Sequence, residues 1–233
     1  MIDFHSHILP GIDDGSRDVE MSLQMLSMLK AQGVSTVAAT SHFYATERTP
    51  QHFLERRQEA FDKLNASLDE DAPEILLGAE VLYFPGICRM EMLPELCLQG
   101  TDLLLLEMPF TSWSDHMIRE VREIARSGRF TLVLAHIERY YDKQPTSVWD
   151  ELLEEGVLMQ SNASFFLPFA TRRKALRLLR EGRIHLLGTD CHNVTSRPPR
   201  MAEARAMIER RLGRAVLEEL DMLGESLLGK ETS

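Results

Sequence analysis

Cysteine is scarce in this chain: Cys88, Cys97 and Cys191 are the only three among 233 residues. Thiols so few and so irregularly spaced exclude a disulfide framework and a structural zinc site built from cysteine. Positive charge is in deficit as well. Against 36 Asp and Glu stand 26 Lys and Arg, a formal net charge of −10; a nucleic-acid surface needs the opposite field, so that class of partner is excluded. No uninterrupted apolar run approaches the ~20 residues of a membrane span. The N-terminus lacks the basic and apolar regions of a signal peptide. Gly/Ser linkers, repeats and low-complexity tracts are also missing. These absences lead to the expectation of a soluble cytoplasmic protein, one domain over residues 1–233, with no membrane insertion; its oligomeric state is left open. The hydrophobic content of 44% is ordinary for a globular chain of a length that buries a sizeable core.

What is present is a regular alternation. Apolar runs of strand length fall at Ile2–His5, Ser35–Thr40, Ile75–Ala79, Asp102–Leu106, Thr131–Ala135, Val157–Gln160 and Ile184–Gly188. Segments of helical period lie between them at Val19–Lys30, Pro50–Leu68, Asp115–Ser127, Val148–Glu155 and Thr171–Glu181, and Ala215–Leu228 reads as a final amphipathic helix. Gly33, Gly128, Gly156 and Gly182 stand where helices should stop. Leu103–Leu106 is apolar without alternation, which suits a strand buried on both faces of a parallel sheet. About seven β–α units predict a parallel barrel or a doubly wound sheet.

The most informative local feature is Asp3-Phe4-His5-Ser6-His7. Side chains two apart on a strand share a face, so His5 and His7 can reach one ion. Placed on the strand map, other ligand-type residues fall in step. His42 closes the second strand, Glu80 follows the third, Glu107 the fourth and His136 the fifth, while Asp190 and His192 follow the seventh. In a barrel the C-terminal ends of the strands surround one site. Imidazole and carboxylate without thiolate suit Mn, Zn or Fe. The count exceeds what one ion needs, so two or three divalent ions are expected, with Glu80 a natural bridge. Such multi-metal sites bind and cleave phosphate esters.

The motifs Asp3–His7, Asp13-Asp14-Gly15, Thr40-Ser41-His42, Gly78–Val81, Ala135–Tyr140 and Thr189–Asn193 together resemble the PHP (polymerase and histidinol phosphatase) superfamily. The likeness is closest to its bacterial protein-tyrosine phosphatases encoded with capsule and exopolysaccharide genes, and it spans residues 1 to roughly 205. The resemblance implies a distorted TIM-like (β/α)7 barrel with a trinuclear site, often manganese-dependent. Carried over by position, it implies one ion on His5, His7, Glu80 and Asp190, a second on Glu80, Glu107 and His136, and a third on Asp14, His42 and His192. Asp13 and Asp14 compete for that last role. Arg139 resembles the phosphate-binding arginine of the family, with Arg197 as a second contact. A hydroxide bridging the ions would then attack phosphorus in line. The implied substrate is phosphotyrosine on a bacterial tyrosine kinase that regulates polysaccharide synthesis. Two alternatives stand beside it: a small-molecule phosphatase of histidinol-phosphate type, and a kinase-binding regulatory module, against which the complete ligand set argues.

Other features carry a plainer reading. Cys191 and Arg197 match the Cys-x5-Arg spacing of thiol phosphatases, but no glycine lies between them and acidic Asp190 adjoins the thiol, so Cys191 is read as a packing residue. His185 inside a strand is expected to be structural, and His52 and His116 to be surface residues, His116 near the pocket mouth at most. Asn162 is open between orienting a ligand, touching phosphate and a turn role. Arg172-Arg173-Lys174 with Arg177, Arg180 and Arg183 is read as a solvated helix face, with a surface for an acidic partner as the alternative. Met21, Met25 and Met28 fall at helical spacing and read as core.

Overall fold

The computed structural model describes residues 1–229, so the last four positions of the expected 1–233 domain lie outside the described residues. Nine strands are present: β1 (Ile2–Ser6), β2 (Thr36–Ala39), β3 (His42–Phe43), β4 (Glu74–Leu77), β5 (Glu80–Leu82), β6 (Leu103–Glu107), β7 (Thr131–Leu134), β8 (Leu158–Asn162) and β9 (Leu186–Gly188). Seven α-helices accompany them among the described residues: α1 (Val19–Ala31), α2 (Pro50–Asn65), α3 (Asp115–Arg126), α4 (Thr146–Glu154), α5 (Phe169–Arg180), α6 (Met201–Leu212) and α7 (Arg214–Leu227).

The nine strands occupy seven staves. The expected second strand breaks at Thr40-Ser41 and resumes as β3; the expected third breaks at Gly78-Ala79 and resumes as β5. Pairing is parallel throughout, in the orders β1-β2-β4 and β3-β5-β6-β7-β8-β9. His42 and Glu80 therefore open short strands after a bend instead of following long ones, and they face each other in register. The ring closes where the segment after β9 meets β1. Asp190 N donates to His5 O at 2.7 Å, and His7 N donates to Cys191 O at 3.0 Å. This is the expected distorted parallel barrel, not the doubly wound sheet.

Closure requires the backbones to come close. A Cβ on Gly188 would lie 2.4 Å from His5 Cβ, and one on Gly15 would lie 2.4 Å from His7 Cβ, so no side chain fits at either position. An irregularity in the β1–β2 register, three steps on β1 against two on β2 between Asp3 and Ser6, marks a bulge. Ile2 and Phe4 pack with Leu103, Leu105, Val133, Ala135 and Leu186 in the barrel interior. His5 and His7, of opposite parity, converge at its rim, and the bulge supplies the change of side.

The final helix expected over Ala215–Leu228 is α7, and a helix that was not expected, α6, precedes it across Gly213 (φ 91°). Gly224 of α7 lies where a Cβ would meet the Phe4 ring at 2.9 Å, so α7 packs against the start of β1. That places it at the end of the barrel opposite the histidines. Among the described residues no helix is long and apolar enough to cross a membrane.

Candidate metal centre and active site

The C-terminal strand ends bring together all nine side chains expected as ligands. Their donor atoms form four overlapping groups: His7, Asp14, His42 and His192; His5, His7 and Asp190; His5, Glu80 and His136; His42, Glu80 and Glu107. Glu80 lies fully buried between them, with Oε2 3.2 Å from His5 Nε2, 3.4 Å from His7 Nε2 and 2.9 Å from His42 Nδ1. Its Oε1 lies 2.6 Å from His136 Nε2, which is also 3.3 Å from Glu107. Two of the residues hold uncommon backbone. His136 (φ 30°) and Asp190 (φ 52°) are the only non-glycine residues of positive φ among those described. Strain of this kind collects at functional sites.

Neighbouring acceptors fix which imidazole nitrogen faces inward. His5 Nδ1 is 3.1 Å from Gln160 Oε1, an oxygen that also accepts from His136 N at 2.7 Å. His7 Nδ1 is 2.8 Å from Asp13 Oδ2, and His192 Nδ1 is 3.0 Å from Asp190 O. Each Nδ1 therefore donates, and each Nε2 carries its lone pair into the cluster. His5 Nε2 and His7 Nε2 then face each other at 3.2 Å. Two lone pairs make no hydrogen bond; a cation between them is what the arrangement accommodates. His42 Nδ1, Glu80 Oε2, His136 Nδ1 and His192 Nε2 have no hydrogen-bond partner despite burial. His42 Nδ1 and Glu80 Oε2 are close without being aligned, so they point past each other. Orphaned buried polar atoms are rare, and these four belong to residues of the cluster, beside others on Ser41, Arg48, Arg122 and Arg183. The donor set fits divalent ions.

The electrostatics agree for the carboxylates. Burial would raise the Glu80 carboxyl, but His5, His136 and His42 outweigh it and hold it well below the usual range. Burial acts likewise on Asp190, and His5 and His7 again win. Both stay ionised, the state metal binding requires. Burial pulls His136 down, yet Glu107 and Glu80 lift it to about 9. Burial, the largest cause, pushes His192 down to about 4.

The Asp13/Asp14 ambiguity resolves in geometry. Asp14 Oδ1 lies 3.4 Å from both His42 Nε2 and His192 Nε2. Asp13 stands one layer back, where besides His7 it accepts from Gly15 N at 2.9 Å and His42 N at 3.0 Å. Asn162 is no mere turn residue. It accepts from Gln160 Nε2 at 3.1 Å and donates to Asp190 Oδ2 at 2.8 Å, so it positions that carboxylate. Gln160 itself escaped the sequence reading, because a neutral amide has no ligand signature. Its place two residues before Asn162, on the same face of β8, was the signal available.

Arg139 and Arg197 converge on the outer oxygen of Asp190, at 2.5 and 2.8 Å. With Asn162, Thr189, Ser196 and Arg200 they line a polar cavity of about 320 Å³. On the other flank of the cluster, Tyr44, Leu82, Met108, Pro109 and Phe110 wall a cavity of about 400 Å³ that reaches Glu107. Phe110, 43% exposed, lies edge-on to His136 and beneath the Arg139 guanidinium.

Cys191 has no place in this chemistry. It is fully buried, and burial, with Asp3 and Asp190 nearby, pushes its thiol up to about 12. The N–H groups a thiol phosphatase would need are already committed, since Asn193 Oδ1 accepts from Thr195, Ser196 and Arg197 N. His185 is structural, its Nδ1 accepting from Met159 N at 3.0 Å. His52 is exposed on α2, and His116 pairs with Glu120 on α3, away from the cluster. Of the three methionines, Met25 is fully buried, and Met21 and Met28 are half-buried.

A parallel barrel with an imidazole–carboxylate cluster at its C-terminal rim defines the class: a metal-dependent hydrolase. The chain belongs to the capsular polysaccharide synthesis CpsB/CapC family, whose model matches residues 1–225, and the PHP likeness of its motifs fits this family. It is 31% identical to the tyrosine-protein phosphatase YwqE of Bacillus subtilis (strain 168), over 100% of this chain and 93% of the relative. Identity to the tyrosine-protein phosphatase CpsB of Streptococcus agalactiae serotype V is 30%, over 94% of each. A solved structure described as one of YwqE from Bacillus subtilis and CpsB from Streptococcus pneumoniae, "unique metal-dependent tyrosine phosphatases", superposes with a TM-score of 0.85. It is 26% identical and covers 100% of this chain and 96% of that one.

Proposed function

We propose that this protein hydrolyses phosphotyrosine on protein, with a bacterial tyrosine kinase of polysaccharide synthesis as substrate. The observation that carries the reading is the convergence of three oriented Nε2 lone pairs and buried carboxylates between an arginine pair and an aromatic-walled cavity. The first flank suits a phosphoryl group and the second an aryl ring.

We assign His5, His7, Glu80 and Asp190 to one divalent ion, Glu80, Glu107 and His136 to a second, and Asp14, His42 and His192 to a third, with manganese favoured over zinc or iron. Ions bound there supply Lewis acidity and acidify water enough for attack near neutral pH. The protein does the rest. Arg139 and Arg197 exchange their shared contact with Asp190 for phosphoryl oxygens and neutralise the charge that builds on them. Gln160, Asp13 and the Asp190 carbonyl hold three imidazoles in the ligating tautomer. Phe110 and Tyr44 flank the leaving ring. A phenol leaves at a pKa near ~10, so its departure needs less protonation than an alkoxide's. Three unpaired cysteines accord with a reducing cytoplasm.

The test is hydrolysis of a phosphotyrosine peptide by metal-stripped protein with and without Mn²⁺, beside His136→Ala and Cys191→Ser, with histidinol phosphate as competing substrate. Activity should return with metal, survive Cys191→Ser, collapse in His136→Ala and favour the peptide. Chelator-resistant activity lost in Cys191→Ser, or preference for histidinol phosphate, overturns the reading.

A further inference from the structure

The molecule carries net negative charge, yet one flank gathers arginines that nothing in the fold neutralises. Arg173, Arg177 and Arg180 lie at i, i+4 and i+7 on α5, a single stripe. Across the seam Arg211, at the end of α6, completes a groove of about 380 Å³, floored by Leu176 and Leu212. All four arginines are exposed, and none of their side chains has an ion pair or hydrogen bond among the described residues. Their neighbours show the contrast: Lys174 pairs with Asp142 at 2.5 Å, Arg183 with Asp150 at 2.5 Å, and Arg172 is tied to the carbonyls of Phe166 and Leu167. Glu181 and Glu209 are near in sequence and pair with none of the four.

Stability does not call for this arrangement. A basic residue at a helix C-terminus is favourable, which accounts for Arg180 or Arg211 singly. It does not account for Arg173 in the second turn, nor for four guanidinium groups sharing one groove. Like charges at i and i+4 oppose the helix.

The stripe also runs along one helix away from the site. α5 starts on the catalytic face, directly after the segment whose Ser164 lines the Arg139–Arg197 cavity, and Phe169 at its first position is 92% exposed. At a rise of 1.5 Å per residue, Arg173 lies about 6 Å and Arg180 about 17 Å down the axis from Phe169. An extended chain covers that span in roughly two to five residues beyond the rim.

We propose that the α5–α6 groove receives an acidic segment of the substrate protein, a run of Asp or Glu a few residues away from the phosphotyrosine held at the metal centre. This rests on the phosphotyrosine reading above and adds to it a reason for sequence preference. The segment docks by charge, outside the chemistry, so it acts on KM and leaves kcat unchanged.

The experiment uses the full chain with two phosphotyrosine peptides, alike except that one carries an Asp/Glu run beyond the rim and the other Ser and Gly. Hydrolysis is measured by steady-state kinetics. Binding is measured by fluorescence anisotropy with the matching non-hydrolysable phosphonate peptides. Three or four exposed ion pairs together are worth about tenfold in affinity. The acidic peptide should bind about tenfold more tightly at low salt, with the gain in KM. That preference should vanish in Arg177→Gln/Arg180→Gln/Arg211→Gln and in 0.5 M NaCl, while hydrolysis of the neutral peptide is unaffected. Equal binding of the two peptides, or a preference that survives in the triple variant, overturns the proposal. So does groove-dependent co-sedimentation with phosphatidylglycerol vesicles in the absence of peptide preference, which would make the groove a membrane contact. Failure to hydrolyse either peptide instead strikes the phosphotyrosine reading, and the groove assignment falls with it.

Discussion

Asp13 accepts the Nδ1 proton of His7 at 2.8 Å and so turns the other nitrogen of that ring toward the cluster. Its remaining acceptors hold Gly15 N and His42 N, so one carboxylate fixes a histidine tautomer, a tight turn and the start of β3 together. Asp13→Ala is expected to weaken Mn²⁺ binding by about 10–100-fold, the usual cost of losing such an outer partner. Isothermal titration of metal into Asp13→Ala and wild type checks this; equal affinities would remove Asp13 from the site's support.

Gln160 predicts a stability effect that is independent of metal. Gln160→Leu strands His5 Nδ1–H and His136 N–H without an acceptor in a fully buried place. Loss of those partners should lower the melting temperature of the metal-free protein by roughly 5–15 °C. Gln160→Glu keeps an acceptor for both donors and should recover most of the loss. A Leu variant as stable as wild type would contradict the assigned network.

Arg139 reaches Asp190 through Nη2 alone and overlies Phe110, so the rest of its fork is open to a phosphoryl group. Arg139→Lys keeps the charge and loses the fork, so kcat/KM for a phosphotyrosine peptide should fall by about 10²–10³. Metal affinity should change little, and the pair of measurements separates phosphoryl recognition from metal retention.

Phe110→Ala removes the exposed ring beside His136. Stacking of aromatic pairs is worth ~0.5–1.5 kcal/mol, so selectivity for aryl over alkyl phosphates should drop several-fold, read as the ratio of kcat/KM on the two substrates. An unchanged ratio would place the ring elsewhere.

Asp3 gives a pH signature. Burial raises its carboxyl to about 6, against hydrogen bonds from Thr189 and His5 that favour the ion. The folded-state value lies above the unfolded 3.8, so the stabilisation is complete below about pH 3.8 and is lost as pH rises through about 6. The size is on the order of 3 kcal/mol. Asn at this position satisfies the same geometry, its oxygen accepting from His5 N and Thr189 N and its amide donating to Thr189 Oγ1. Asp3→Asn should therefore flatten the decline in melting temperature between about pH 4 and pH 6; parallel profiles would refute this.

Much of this site was legible because strand period and ligand chemistry coincide. His5, Glu107, His136 and Asp190 each stand where an apolar run stops, and a parallel barrel gathers such positions at one rim. The bends at Thr40-Ser41 and Gly78-Ala79 were not legible. They depend on a pairing switch between neighbouring strands, a tertiary event with no local periodicity. Asp13 and Asp14 are identical in type and adjacent, so only the turn that Gly15 makes against His7 tells them apart. α6 was missed because its buried face, Met201, Ala204 and Ile208, is narrow and interrupted by charge.

Closure of the barrel ties Asp3 to Thr189, 186 residues apart. The donor set thus runs from His5 to His192, and the chain between these ends must be ordered before they meet. Partly folded forms missing the last β–α units would hold His5 and His7 without Asp190 or His192. On the ligand assignment proposed above, tight metal capture would be a late event in folding, and the ion a latch that reports a finished ring.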